Sequence, residues 1–399
     1  MSQLDSLKDR VMAAIDDRRE ELVRIADTLH AHPEVAFKEV ESAALLSGVL
    51  EENGFSLEHK VAGLDTSFVA TMGDSSHPRV AFLAEYDALP GLGHACGHNL
   101  IGTAALGAGL AMQAVLPDLS GSIQVIGTPA EEGGCGKGIM VEAGVFDQVD
   151  AAIMFHPSNR NLTRRKSLTS YKLDLEFFGA PAHAGAAPDA GINALDAMII
   201  TFSSIGMLRQ QLRYDARVHG IITHGGDAPN IIPEYTSARL GVRAADNVYA
   251  AEVLEKVKAC AQAAALATGA RLEFDVRDVY YQAMLPNPIL ADLVEGNMTA
   301  LGIEYRMPKP NERMGSTDMG NVSQVVPGLH PYVSIAGEDV NGHTAGFREA
   351  AASPGGHEGM IKAAKILAMT AVDLLSDPDK VRAAKEAFEE QKAAQGKES

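Results

Sequence analysis

The sequence contains no tryptophan, and aromatic residues make up only 5% of it. Its core must therefore be built from aliphatic side chains and from methionine, of which there are 15. Cysteine is also scarce. Cys96, Cys135 and Cys260 are too few and too scattered for a disulfide framework, which points to a reducing cytoplasm. Positive charge is the minority sign: 34 Lys and Arg face 52 Asp and Glu, for a net charge of −18. That balance argues against a general basic surface for nucleic acid or an anionic membrane. The longest apolar run, residues 103–116, falls short of the roughly 18 to 20 residues that span a bilayer. Residues 1–19 are charged and lack the apolar stretch of a signal peptide.

With 399 residues, the chain is long enough for two or three domains. Its centre of gravity is Gly93-His94-Ala95-Cys96-Gly97-His98-Asn99. A short apolar run ending in Glu85-Tyr86-Asp87 precedes it, and an Ala/Gly/Leu-rich segment of helical length follows. A strand, a Gly-bounded loop and a buried helix would set Cys96 and His98 at the carboxyl edge of a sheet, where open α/β proteins bind ligands. Thiolate and imidazole suit a zinc-like ion and not a hard cation such as calcium. Two other readings stand beside this one: a buried structural cysteine, and a Cys96 nucleophile with His98 as its base.

Along the chain, apolar residues at helical spacing predict one amphipathic helix over 4–29 and a second over 42–53. His30 and His32 fall at the end of the first, where imidazoles commonly satisfy last-turn carbonyls. Strands are expected over 67–72, 80–83, 122–126 and 151–155. Three of these run into chemistry: Glu85 and Asp87 after one, Glu131-Glu132 after the next, His156 after the last. Strands alternating with helices imply a mostly parallel sheet with these ends on one edge. From 169 to 282 the order changes to β-α-β-β-α-β, a ferredoxin-like unit inserted into the first domain. The fold class is thus α/β, with a mostly parallel-sheet domain over 1–168 and 283–399 and a smaller α+β domain inserted over 169–282. A helix over 288–301, a turn-rich loop over 315–321, a strand over 332–335 and a long helix over 359–375 complete the first domain. A surface helix follows.

The motifs together resemble the dinuclear metallo-amidohydrolases and exopeptidases that include aminoacylase, carboxypeptidase G and the amino-acid-conjugate hydrolases. The resemblance spans nearly the whole chain. It rests on Leu29-His30-Ala31-His32-Pro33-Glu34, Tyr86-Asp87-Ala88-Leu89-Pro90, the His-Ala-Cys-Gly-His core, Pro129-Ala130-Glu131-Glu132 and Ala182-His183-Ala184-Gly185. It also rests on Pro229-Asn230-Ile231-Ile232-Pro233, Ser316-Thr317-Asp318-Met319-Gly320-Asn321 and His343-Thr344. Glu85 to Pro90 and Asn99 look most like the dipeptidase-like and aminobenzoyl-glutamate-hydrolase-like branch.

The resemblance implies a cytoplasmic hydrolase of dipeptides or N-acyl amino acids that binds two divalent ions, zinc or manganese or cobalt. Cys96, His98, Glu132, His156 and His343 would be the ligands, with His343 preferred over His357 and with His94 left out. Glu131 would be the general base and Asp87 would orient a ligand. Glu85 stands where other branches place a ligand His. His183 would stabilise the oxyanion, reaching into the site of a partner in a homodimer formed through the lid domain. Asn230, Gly315, Ser316 and Thr317 would hold the substrate, with Arg243 and Arg313 as candidates for its carboxylate. The runner-up is hydrolysis of an aromatic N-acyl-glutamate or an aromatic aminohydrolase reaction. A catalytically silent binding homologue is the reading from another class, and the retained Glu131 and ligands argue against it.

Overall fold

The structure, a computed structural model, describes residues 2–74, 78–309, 312 and 314–395. The chain opens with helices α1 (Gln3–Asp17) and α2 (Arg19–Ala31). The apolar stripe of Leu7, Val11, Ile15, Leu22, Ile25 and Leu29 is buried throughout. The single helix expected over 4–29 is nevertheless broken at Arg18, whose φ of −97° and ψ of 5° leave the helical region. Its guanidinium instead reaches Glu21 at 2.9 Å and Asn53 at 2.7 Å.

There follow α3 (Val40–Glu52), β1 (Ser56–His59), β2 (Phe68–Gly73), β3 (Arg79–Glu85), α4 (His98–Met112), β4 (Ser122–Thr128), α5 (Gly136–Glu142), β5 (Ala151–Ile153) and β6 (His156–Ser158). The second unit contains β7 (Thr169–Phe178), α6 (Ala194–Leu208), β8 (Arg217–His224), β9 (Tyr235–Ala244), α7 (Asn247–Thr268) and β10 (Arg271–Val276). The chain then returns through α8 (Pro288–Ala300), α9 (Met319–Ser323), β11 (Gly328–Leu329), β12 (Tyr332–Ser334), α10 (Ala345–Ala350), α11 (Pro354–Ser376) and α12 (Pro378–Gln395). The first compact unit takes the described residues within 2–166, 284–312 and 317–395, the second those within 167–283 and 314–316.

A six-stranded sheet, order β1-β2-β4-β3-β5-β11, forms the spine of the first unit. The pairs β3–β4, β3–β5 and β5–β11 are parallel, and β1–β2 and β2–β4 are antiparallel. The sheet is therefore mostly parallel, and the carboxyl ends of β3, β4 and β5 share one edge. Helix α4 packs against β3 and α11 and is buried at every residue. A Cβ at Gly109 would come within 2.5 Å of Val125 Cγ2, so this close approach of helix to strand needs glycine. One expected strand divides: β5 stops at Ile153, and His156 opens β6, which pairs in parallel with β12 through Tyr332.

The second unit is an antiparallel sheet of order β10-β7-β9-β8 with the β-α-β-β-α-β connectivity of a ferredoxin-like fold. Leu173, Leu175 and Phe177 alternate inward from β7 and pack with Met198 and Ile205 of α6 and Val253 and Val257 of α7. The period-two and period-3.6 patterns in the sequence are thus both used.

Glu39 fastens α3 to the sheet edge. Its carboxylate is fully buried and accepts the N–H groups of Phe37 and Ala130, each at 2.9 Å, and the Thr66 hydroxyl at 2.9 Å. Burial raises this carboxyl from its ordinary 4.5 to about 7. The folded state thus keeps a proton that the unfolded state releases, and the contribution of this group to stability falls as pH rises from about 4.5 to about 7. The swing is on the order of 3 kcal/mol. Glu39→Gln keeps the acceptor and removes the titration, so the Tm of the variant relative to the parent should climb between about pH 5 and pH 8. An offset that stays constant across that range in calorimetry would contradict the assignment.

Candidate active site

Each element of the parallel edge delivers one or two groups. Strand β3 ends on Glu85, followed by Asp87; β4 leads through Pro129 and Ala130 into Glu131 and Glu132; the turn after β5 leads to His156. Cys96 and His98 stand at the start of α4, on either side of Gly97. Gly97 has φ +77°, and a Cβ there would meet Pro157 Cγ at 2.9 Å, beside His156. Only glycine can let this loop pass so close to the next one.

Asp87 lies between two of the expected ligands, His98 and Glu132. Its Oδ1 and its backbone carbonyl lie 3.1 Å and 2.8 Å from His98 Nδ1, while its Oδ2 accepts the Glu132 N–H at 2.8 Å. With Nδ1–H directed at Asp87, Nε2 of His98 presents a lone pair. Glu132 Oε1 lies 3.9 Å from that nitrogen and also 3.9 Å from Nε2 of His343. The His343 N–H donates to the carbonyl of Ala95 at 3.0 Å, which ties the two loops together.

Two donor sets result. Cys96, His98 and Glu132 form one, and Glu85, His98 and His156 form the other; in each, ligand atoms lie within 4.8 Å of one another. Oε1 of Glu85 and Nε2 of His98 are buried and have no hydrogen-bond partner among the described residues, although only 3.0 Å separates them. Thiol, imidazole and carboxylate are the donor types that borderline divalent ions take. The donor types present therefore fit such ions, with the single free lone pair of His98 Nε2 given to one set or the other.

Electrostatics agree with this. The Cys96 thiol is pushed up by burial and then by Glu132. The Glu131 carboxyl is raised well above its usual range by burial and by Glu85, Asp318 and Glu132. Burial would lower His98, but Glu85 and Asp87 raise it well above its usual value, so that with no ion bound a proton takes the place of a cation on its ring. His156 is lowered to about 4 by burial and by His98. The edge is a concentration of buried negative charge, which a cation stabilises.

Other expected residues fall as follows. Thr317 is buried and its hydroxyl accepts the Met319 N–H at 3.3 Å, at the start of α9. Gly315 accepts the Leu168 N–H at 2.8 Å through its carbonyl, and the Ser316 hydroxyl oxygen has no partner among the described residues. His183 and Asn230 lie in the second unit on adjoining segments, with the Ala184 N–H donating to the Asn230 carbonyl at 2.9 Å. Arg243 is on β9, and Arg313 lies outside the described residues. His357 is bound to Asp27 at 2.8 Å and His32 to the Thr28 carbonyl at 3.0 Å, while His30 reaches the carbonyl of Arg348 at 2.9 Å. Asn99 donates to the carbonyls of Ala26 and Ala351 and so braces helices, not ligands.

Three groups went unread in the sequence: Lys137, Asp318 and His330. Lys137 is fully buried and ion-pairs with Glu85 and, at 2.8 Å, with Asp318, whose other oxygen accepts the Lys137 N–H at 2.9 Å. His330 packs edge-on to His156 with ring centroids 5.5 Å apart. The Ser-Thr-Asp-Met motif held a signal for Asp318; nothing in the local pattern marks Lys137 or His330.

The model of peptidase family M20/M25/M40 matches residues 81–373. The Xaa-Arg dipeptidase of Mus musculus is 38% identical to this chain, with 94% of the chain and 91% of the relative covered. A p-aminobenzoyl-glutamate hydrolase component from Escherichia coli is 34% identical over 72% of the chain and 64% of the relative. Among solved structures, the YXEP protein of Bacillus subtilis, a dinuclear metal-binding peptidase of the M20 family, superposes with a TM-score of 0.70 at 22% identity, covering 90% of this chain and 99% of that one. This chain, with its thiol, imidazole and carboxylate donors gathered at one sheet edge, belongs to peptidase family M20/M25/M40 and is a metal-dependent amide-bond hydrolase.

Proposed function

We propose that this chain cleaves the amide bond of a dipeptide or N-acyl amino acid bearing a free carboxylate. Two divalent ions, zinc or manganese or cobalt, would be held by Cys96, His98, Glu132, His156 and His343. The observation that carries this reading is the pair of donor sets sharing His98, with Glu131 next to the Glu132 of one of them. Such ions supply a lowered pKa for water and polarise the scissile carbonyl.

Glu131 takes the proton of the attacking water and returns it to the leaving nitrogen. Burial and the nearby Glu85, Asp318 and Glu132 raise its carboxyl, and a stronger base takes the proton of water more readily. Asp87 keeps His98 and Glu132 in register. The Nδ1 of His183 accepts the N–H groups of Gly185 and Ala186 at 3.2 Å and 3.1 Å. The ring proton of the neutral form then sits on Nε2, which supports His183 as a donor to the oxyanion.

A homodimer through the second unit is supported by its surface. Strand β8 is an edge of the sheet and exposes Ile221 and Ile222, and α6 exposes Ile199 and Met207. An uncovered edge strand beside apolar side chains invites pairing with a second copy. Cytoplasmic residence is supported by three free cysteines. Among the described residues no helix is long and apolar enough to cross a membrane.

The Xaa-Arg dipeptidase relative points to dipeptides with a basic C-terminal residue, and the aminobenzoyl-glutamate relative to an aromatic acyl-glutamate as the second reading. A panel of both substrate types separates them.

Glu131→Gln should retain its metal while turnover falls by roughly a hundred- to ten-thousand-fold. Loss of the metal instead, by elemental analysis, would mean that the base and the ligand have been exchanged. His183→Ala should fold and bind metal but lose about a hundred- to thousand-fold in rate. A mixed dimer of His183→Ala and Glu131→Gln chains should regain activity; no recovery in a confirmed mixed dimer would contradict action in trans.

A further inference from the structure

Glu85 is missing from the ligand set just given, yet its carboxylate is fully committed to the site. One oxygen, Oε2, is held by the Lys137 ammonium, which Asp318 grips in turn at 2.8 Å. The other, Oε1, lies 3.0 Å from His98 Nε2, and both atoms are buried without a hydrogen bond among the described residues. The proton of His98 is directed the opposite way, toward Asp87. With the His98 ring neutral, these are two electron-pair donors side by side with no hydrogen bond aligned between them, placed to share an electron-poor third atom. A ligand atom of His156 completes the group within 4.8 Å. Lys137 leaves Glu85 a single free oxygen and offsets its charge in a site already holding Glu131 and Glu132.

We propose that Glu85 is itself a metal ligand, sharing one cation position with His98 and His156 and held in place by Lys137. This rests on the metal-hydrolase reading above. Its test is a titration of the metal-free full-length chain with Co²⁺, following both affinity and the visible absorption of the bound ion. The parent should take up about two ions. Glu85→Gln and Glu85→Asp should each weaken one ion by about tenfold or more and alter its visible bands. The thiolate-to-cobalt absorption of Cys96 should persist in both. Asp retains the charge but withdraws the oxygen by one methylene, and circular dichroism reports whether either variant is misfolded. Full retention of affinity and spectrum in both variants would overturn the proposal. So would loss in Gln with full retention in Asp, because charge alone would then explain the effect. A parent that binds no Co²⁺ would instead overturn the metal-hydrolase reading itself.

Discussion

Negative charge gathered out of water at one sheet edge is the constraint to which the rest of the first unit answers. Glu85, Asp87 and Asp318 are all but fully buried there, with Glu131 and Glu132 beside them. Carboxylates so placed repel one another and lose their hydration, and each needs a cation or a set of donors. Lys137 serves Glu85 and Asp318; backbone N–H groups serve Asp87 and Glu39; Cys96, His98 and Glu132 are left with donor atoms converging on shared points. A divalent ion at such a point relieves the repulsion and acquires fixed ligands in the same step.

The scaffold follows from this need. Parallel strands put consecutive carboxyl ends side by side, so groups far apart in sequence arrive together without long excursions. Helix α4, buried on all sides, fixes His98 at its first turn, and Gly97 lets the loop before it close against Pro157. Asp87 then holds the His98 ring and the Glu132 backbone with one carboxylate. Glu39 holds the backbone just before Glu131 from the far side. The second unit is built by different rules, with an alternating antiparallel sheet and one helical face, and it carries His183 and Asn230 on its own loops.

Much of this was legible because it depends on short-range patterns. The C-x-H spacing, the acidic ends of apolar runs and the change to β-α-β-β-α-β near residue 169 are all local signals, and the strands and helices they predict are present. What escaped depends on tertiary surroundings. The break at Arg18, where the side chain binds Glu21 and Asn53, is marked by neither a proline nor a glycine. The early end of the strand expected over 151–155 and the new strand opened by His156 go with the late strands β11 and β12, which pair with β5 and β6 respectively. Lys137 reads as an ordinary solvent-facing lysine in a Gly-rich turn, and only the fold reveals that it is buried between two carboxylates. The stance of Glu85 was unreadable for the same reason, since its meaning depends on that lysine.

The most direct test is a count of metal ions per chain in protein purified without chelator, paired with cleavage of a panel of dipeptides and N-acyl amino acids before and after chelation. About two ions per chain, with amide cleavage lost on chelation and restored by metal, is the expected result. A chain free of metal, whose cleavage is blocked only by alkylation of a thiol, would transfer the chemistry to Cys96 as nucleophile and contradict the metal-centred reading.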